Sequence, residues 1–533
     1  MKRILSVLLC AALTFAMVTA FAETLTGTAD GFMGPVSVSV EVTDGKITQV
    51  TVTEQNETPA IAGVALEQIP AAIVEKGSAD VDVYSGATYT SNAIIQAVSY
   101  ALNPELIPEA KAEEAAEPVV LEAAEAYIGF GYDNSGRVGP GKDDKEAQVY
   151  SFNQVMAQVI FDQEGKILFA NLDQLEVATP NYDGDGMPHF SGFPGQAGYN
   201  YDSDHDGKID STVEPTGESY LEEIAGWMTK RERGDSYRMN TGTWSAQMNT
   251  FEQLFVGKTV EEVEVWFSQY TSDRNGRPLK DGSTNEEDKT KYDALSDEDK
   301  AMLADVTTTA TMSLNDAHGN ILAALKDAYA KRLPVTADAS AVGLGFNFVG
   351  RLGPGADDKE VPVFSFNEVY ASTLFDADGR IAQVHVDILE VATPNYDGDG
   401  MPHFSGYPGQ GGYNYDSDHD GKVDSVLEPT NEDYLAEIAG WMTKRERGDS
   451  YRMTTGTWSA QMNTFEQLFV GMTVAEVEEW FALYTSDRNG RPLKDGSTNE
   501  EDKTKYDALS DEDKAMLADV TTTAAVSLNA AHG

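Results

Sequence analysis

Hydrophobic and polar residues alternate along Val36-Ser-Val-Ser-Val-Glu-Val, the period of a half-buried β-strand. Asp44-Gly45 is a hairpin turn pair, and Ile47 to Val52 has the pattern of the returning strand. Ile69 to Glu75 predicts a short helix with Pro70 in its first turn, where a missing N–H costs nothing. Asn92 to Leu102 predicts a second, amphipathic helix. These elements make residues 23–102 a small α+β domain. Residues 103–125 are rich in Pro, Ala and Glu and predict a solvated, semi-stiff linker.

The rest of the chain is a long internal repeat. Gly136-Arg-Val-Gly-Pro-Gly returns as Gly350-Arg-Leu-Gly-Pro-Gly, and the segment from Tyr270 to Ala310 recurs unchanged from Tyr484 to Ala524. So long a period indicates two whole domains, 126–337 and 338–533. Near-identity even in polar loops indicates recent copying, so it does not single out the residues that matter. Both repeats share with residues 23–102 a strand, a Gly-Lys/Arg-Ile turn, a strand ending in Thr-Pro and an Asp-x-x-hydroxyl-x-Ala motif. The expected fold class is therefore α+β: a small domain, then two larger homologous α+β domains with helical insertions. Tyr220 to Thr229 and Val260 to Tyr270 predict amphipathic helices in the insertion of the first repeat. All six tryptophans fall in the insertions, where core packing explains them. The helix-like run from Asn320 to Ala330 has no counterpart after His532-Gly533, so the expectation is either a truncated sequence or a second repeat incomplete at its C-terminal end.

Charge and composition narrow the function. The net charge is −50 and the pI about 4.3, which disfavours nucleic acid and anionic membrane surfaces. Lys2 and Arg3, an apolar run from Ile4 to Val18 and Ala20-Phe-Ala22 predict a signal peptide over 1–22 and an extracytoplasmic protein: secreted, surface-held or periplasmic. The only cysteine, Cys10, lies inside that signal, so redox chemistry in the mature chain must come from a cofactor.

The candidate chemistry sits in Asp82-Val-Tyr-Ser-Gly-Ala-Thr-Tyr-Thr-Ser91, ahead of the predicted helix. Unpaired N–H groups at a helix start make a seat for phosphate. Gly86 permits close backbone approach, and Thr90 or Ser91 can cap the helix. Thr88 would lie beside a seated phosphate, able to hydrogen-bond it or to be esterified by it. A hydroxyl-rich loop before a helix is also compatible with simple capping.

Residues 24–102 resemble the FMN-binding domain family of sodium-pumping quinone reductases, Rnf-type complexes and exported flavoproteins. Its motif Asp-x-x-Ser/Thr-Gly-Ala-Thr/Ser stands in full as Asp82, Ser85, Gly86, Ala87 and Thr88, with Glu57-Thr-Pro59 resembling the upstream segment. The resemblance implies FMN joined covalently through its phosphate to Thr88, by a separate flavin transferase that uses FAD. It also implies electron exchange with a membrane or extracellular redox partner.

Looser copies of the motif follow. Asp305, Thr308, Thr309, Ala310 and Thr311 keep the acceptor hydroxyl but replace Gly by Thr309, leaving Thr311 as a second candidate FMN site. Asp519, Thr522, Thr523, Ala524 and Ala525 lack the acceptor, so no ester can form there. Asp202, Asp204, Asp206 and Asp210, with Gly207, match the front of a calcium loop, and Asp416, Asp418, Asp420 and Asp424 repeat it. A solvated acidic turn is the alternative. Lys230-Arg-Glu-Arg-Gly-Asp-Ser-Tyr-Arg238 is the most basic stretch; pairing with nearby acids is its plainest explanation. The expectation is an exported covalent FMN carrier rather than an enzyme with its own substrate pocket. A calcium-stabilised surface or binding protein is the rival, and a secreted reductase a third reading.

Overall fold

The computed structural model describes residues 22–30, 35–43, 45–55, 59–79, 81, 88–104 and 125–528, without 185, 197, 240, 315–318, 354, 397, 399 and 454. The predicted signal peptide and nearly all of the predicted linker lie outside the described residues. The chain divides into two compact units, Met1–Glu117 and Pro118–Gly533.

In the first unit, β1 (Ala22–Asp30), β2 (Pro35–Thr43) and β3 (Lys46–Glu54) form an antiparallel meander. Helices α1 (Pro59–Lys76) and α2 (Thr88–Leu102) cover one face: α2 lies on β1 and β2, and α1 on β3. Leu25, Gly27 and Ala29 pair with Val40, Val38 and Val36, so the apolar residues of both strands share the covered face. A bulge at Glu41/Val42 shifts the register, and both Ile47 and Val50 of β3 turn inward. The hairpin strands match the alternation closely. Helix α1 is longer than predicted and holds Pro70 in its interior, not its first turn. A helix tolerates this loss of one hydrogen bond when an apolar face is buried along its length, and Ala65, Ile69 and Ile73 are buried here.

The first repeat supplies β4 (Ala126–Lys142), β5 (Gln148–Asp162) and β6 (Ile167–Ala178), the hairpin β7 (Tyr199–Tyr201) and β8 (Ser211–Val213), then α3 (Gly217–Ala225). A short β9 (Arg238–Met239) and β10 (Gly242–Thr243) precede α4 (Trp244–Phe255), α5 (Val260–Tyr270), α6 (Glu286–Asp293), α7 (Asp297–Thr309), α8 (Ile321–Ala330) and β11 (Leu333–Pro334). The second repeat gives β12 (Ala341–Arg351), β13 (Ser365–Phe375), β14 (Ile381–Ala392), β15 (Tyr413–Tyr415), β16 (Ser425–Leu427) and α9 (Asn431–Ala439). It closes with β17 (Arg452–Met453), β18 (Gly456–Thr457), α10 (Trp458–Phe469), α11 (Val474–Tyr484), α12 (Glu500–Asp507) and α13 (Asp511–Thr523). The α+β class expected from the sequence is what the structure shows.

The two repeats do not stand apart. Each sends a helix onto the other's meander: α3 packs on β12, and α9 on β4. Gly350 and Gly136 make room, since a Cβ on either would come within 3.1 Å of the Tyr220 or Tyr434 ring. Tyr220 donates to the Ser365 carbonyl at 2.6 Å, and Tyr434 to that of Ser151 at 2.7 Å. Between them lies one aromatic core drawn from both repeats, with Phe152 stacked on Phe366 at 6.3 Å. Such ring pairs contribute about 0.5–1.5 kcal/mol each beyond the area they bury. All six tryptophans are buried, as expected.

The acids inside this core are handled in two ways. Burial pushes the Glu176 carboxyl up, but Lys230 at 2.9 Å and Arg137 at 3.3 Å outweigh it and hold it at about 2. Among the described residues, no cation pairs with Glu368. It accepts from Tyr370 at 2.6 Å and Tyr132 at 3.0 Å, and burial pushes it up to about 7 against the hydrogen bonds of Tyr370, Gln154 and Tyr132. The folded state thus holds this proton more tightly than the unfolded chain. Its stabilising contribution is full below the unfolded carboxyl value and is lost as pH rises through about 7. Glu368→Gln is expected to raise the melting temperature at pH 8.5, with a gain of at most about 3 kcal/mol, and to change little at pH 5. Thermal denaturation at both values checks this; an equal effect at the two would contradict it.

Candidate functional site

Helix α1 ends at Gly77, whose positive φ of 68° lets its N–H and that of Ser78 return to the Ile73 carbonyl at 2.8 and 3.2 Å. Val81 packs against the core of the first unit, and α2 begins at Thr88. The intervening Asp82, Ser85, Gly86 and Ala87 lie outside the described residues, as does the Thr88 side chain. What the structure fixes is the helix start that follows them. Thr90 and Ser91 are 3% and 0% exposed and sit inside the first turn, so they do not cap a helix beginning at Asn92. The helix starts earlier than predicted because its buried face continues upstream.

The position of α2 is set by one close contact. A Cβ on Gly27 of β1 would lie 2.0 Å from the Ala97 carbonyl oxygen and 2.7 Å from the Ala101 nitrogen. Only glycine admits a helix backbone this near to a strand. Thr88 lies nine residues before Ala97, about 14 Å along the axis, so the helix start projects well beyond the contact. The first-turn N–H groups of α2 have no carbonyl partners within the helix. No acidic residue occupies that turn, whereas α5, α6 and α7 all carry acids in theirs.

Residues 31–103 match the model of the FMN-binding domain family. This segment is an FMN-binding domain. The chain is also 44% identical over 117 residues to a chlorophenol reductase of Desulfitobacterium hafniense, covering 20% of this chain and 36% of that protein. It is 36% identical over 73 residues to an NADH:acrylate oxidoreductase of Vibrio harveyi, covering 14% and 7%. An uncharacterized protein of Treponema pallidum is 46% identical over 70 residues, covering 13% and 19%. The chain thus spans about a third or less of the length of each of these relatives.

The motif copies in the repeats do not reproduce this arrangement. Asp305, Thr308 and Thr309 belong to the last turns of α7, and Thr308 donates to the Asp305 carbonyl at 2.6 Å. Thr311 follows the C-terminus of that helix, where outward carbonyls repel an anion. Its hydroxyl lies 3.0 Å from that of Thr241, and its N–H donates to Gln247 at 2.9 Å. The expected loop ahead of a helix is therefore not formed at Thr311. The second copy is likewise helical, with Asp519, Thr522 and Thr523 in α13. The true counterpart of α2 in the first repeat is α8. A Cβ on Gly131 would lie 2.0 Å from the Ala324 carbonyl oxygen and 2.3 Å from the Ala328 nitrogen, the same contact as Gly27 makes. But α8 starts only three residues before its packing alanine, capped by Asn320.

The acidic loops are built alike. Asp202 is fully buried and accepts from the N–H groups of Asp206 and Gly207 at 3.2 and 2.8 Å. His205 and Gly207 take positive φ values of 55° and 80° to make the turn. Carboxylate oxygens of Asp202, Asp204 and Asp210 lie within 4.8 Å of one another, while Asp206 pairs with Lys208 at 2.5 Å. In the second loop the grouped carboxylates are Asp416, Asp418 and Asp420, and Asp424 accepts from Ser417. The donor set is hard oxygen and suits a divalent cation such as calcium.

Lys230, Arg231 and Arg233 of the basic stretch find partners within the protein. Lys230 pairs with Glu176, Arg231 with Glu252 at 2.6 Å, and Arg233 is buried with its guanidinium 4.1 Å from the Tyr237 ring centre. A cleft of about 470 Å³ lined by His385, Asp387, Arg445 and Glu466 was not evident from the sequence. Its charges are also spent on structure: Arg445 binds Glu466, Asn463 and the Val386 carbonyl at 2.6–2.7 Å.

Gly27→Val should displace α2 and lower the stability of the FMN-binding domain by about 3 kcal/mol, the upper end of the usual cost of overpacking. Denaturant unfolding followed by circular dichroism checks this; an unchanged midpoint would contradict the packing contact as described.

Proposed function

We propose that the protein is a flavoprotein that transfers electrons, with FMN esterified to Thr88. The observation that carries this reading is the complete motif Asp82, Ser85, Gly86, Ala87 and Thr88 running into the start of α2 within the matched FMN-binding domain. Asp82, Ser85, Gly86, Ala87 and Thr90 would shape the turn and the helix start that hold the phosphate. A flavin transferase supplies the group from FAD. The Thr88 oxygen bonds to the FMN phosphorus, the pyrophosphate P–O bond breaks, AMP leaves, and the hydroxyl proton passes to solvent. When bound, FMN supplies the redox chemistry that a chain without cysteine beyond Cys10 lacks.

A tether has a physical purpose outside the cytoplasm, where a dissociated cofactor is lost by dilution. The predicted signal peptide supports that location, and a membrane redox system is the donor we propose. The relatives named for reductions of a chlorophenol and of acrylate support a redox role. They also favour a second reading, a secreted reductase in which this domain feeds a reducible organic substrate; turnover with reduced flavin and candidate acceptors separates the two. Produced together with a flavin transferase, the protein is expected to gain the mass of FMN less one water, and Thr88→Ala to abolish the gain. A gain that survives Thr88→Ala would overturn the assignment.

The acidic loops support a separate role for calcium in stabilising the repeats; if those repeats bind a partner, calcium would serve a surface protein instead. Calcium at a hundred times its Kd would add about 2.7 kcal/mol per site. Melting in calcium against a chelator is expected to show a rise that Asp202→Asn and Asp416→Asn together remove; identical melting curves would contradict it.

A further inference from the structure

Two pairs of histidines stand beside the acidic loops, and neither the flavin motif nor the grouped carboxylates include them. His189 lies between β6 and β7, and His205 in the turn that joins β7 to β8. Their ring centres are 5.3 Å apart. The second repeat sets His403 and His419 at the matching places, 5.7 Å apart. The backbone fixes one member of each pair. His189 forms a β-bridge with Ala178, and its carbonyl accepts from the Trp227 indole at 2.7 Å. His403 does the same with Ala392 and Trp441, also at 2.7 Å. The other member is placed by the acidic loop. His205 and His419 both take a φ of 55°, a left-handed conformation that histidine enters more readily than most residues.

The ring nitrogens are sorted as metal-bound imidazoles require. His205 Nδ1 lies 3.3 Å from the Tyr182 carbonyl oxygen, and His419 Nδ1 lies 3.3 Å from that of Tyr396. A carbonyl only accepts, so Nδ1 carries the proton and Nε2 the lone pair. His403 Nδ1 lies 3.8 Å from Glu437 Oε1. That carboxylate is held in place by the Ser405 N–H at 3.0–3.1 Å and the Ser405 hydroxyl at 2.7 Å. The Nε2 atoms of His189 and His403 are buried and have no hydrogen-bond partner among the described residues. A carboxylate or carbonyl on one ring nitrogen is the usual support of a histidine that binds metal through the other. The spacing agrees, because two imidazoles on one tetrahedral zinc, with Zn–N of about 2.0–2.1 Å, place their ring centres about 5 Å apart. A cavity of about 490 Å³ lined by His403, His419, Tyr415 and Glu437 gives an approach and room for water.

We propose that each histidine pair, His189 with His205 and His403 with His419, binds a divalent transition metal such as zinc through Nε2, at a site separate from the neighbouring carboxylates. Imidazole nitrogen suits zinc, copper or nickel, whereas the carboxylate oxygens of the loops suit calcium. Two imidazoles leave coordination positions that water fills.

The test titrates the intact protein with zinc against a chromophoric chelator, in excess calcium to occupy the hard oxygen sites. About two zinc ions per chain should bind, one at each four-coordinate site. His205→Asn together with His419→Asn should weaken this about a hundredfold or more, beyond the usual cost of losing a partner outside the ligand set. Asparagine also accepts the left-handed turn, so this variant should melt in chelator as the wild type does. Zinc-edge X-ray absorption of the wild-type protein is independent of how any variant folds, and imidazole scattering at about 2.0–2.1 Å is expected. Zinc lost wholly to the chelator, zinc bound equally well by the asparagine variant, or a zinc environment of oxygen alone would each overturn the proposal.

Discussion

Where a helix lies backbone to backbone on the first strand of a three-stranded meander, the strand residue beneath it must be glycine. Gly27 under Ala97 and Ala101, and Gly131 under Ala324 and Ala328, are the same contact made twice. Everything of functional interest depends on how far the helix runs past it. Helix α2 extends nine residues upstream of its packing alanine and carries its start out to the motif. Helix α8 stops after three, is capped by its own Asn320 and offers no seat. One frame thus gives a candidate cofactor site in one copy and a structural helix in another.

The repeats are held by a different economy. They exchange helices and share an aromatic core, so neither meander is a self-sufficient layer. A chain of net charge −50 cannot bury many acids without help. It pairs Glu176 with Lys230 and Arg137, and Glu390 with Lys444 and Arg351, and leaves Glu368 to tyrosine hydroxyls. Lys230 and Arg231, with their copies Lys444 and Arg445, therefore serve as internal counter-ions.

The hairpin of β2 and β3 was legible because its alternation and its Asp44-Gly45 turn are local signals. Helix α5 was read to its ends from apolar spacing. Strand β1 was not recognised, although Leu25, Gly27 and Ala29 alternate with threonines, because glycine and alanine give a weak hydrophobic signal. The motif copies misled for a physical reason: a run such as Asp-Val-Thr-Thr-Thr is compatible with a loop or a helix end, and only tertiary packing decides. The helix exchange and the cleft around His385 arise from contacts hundreds of residues apart, which no local pattern encodes. At the candidate site, sequence located the motif, and the structure added the early start of α2, the burial of Thr90 and Ser91, and the place of Thr311 just past the C-terminus of α7.

The most direct measurement of the central claim is the phosphorus NMR spectrum of the flavin-loaded protein as a function of pH. A phosphate joined to both the flavin ribityl chain and Thr88 is a diester with no second ionisation. Its resonance is expected to hold still between pH 5 and 8. A resonance that titrates with a midpoint near 6, as a phosphate monoester does, would show FMN held without the bond and contradict the account.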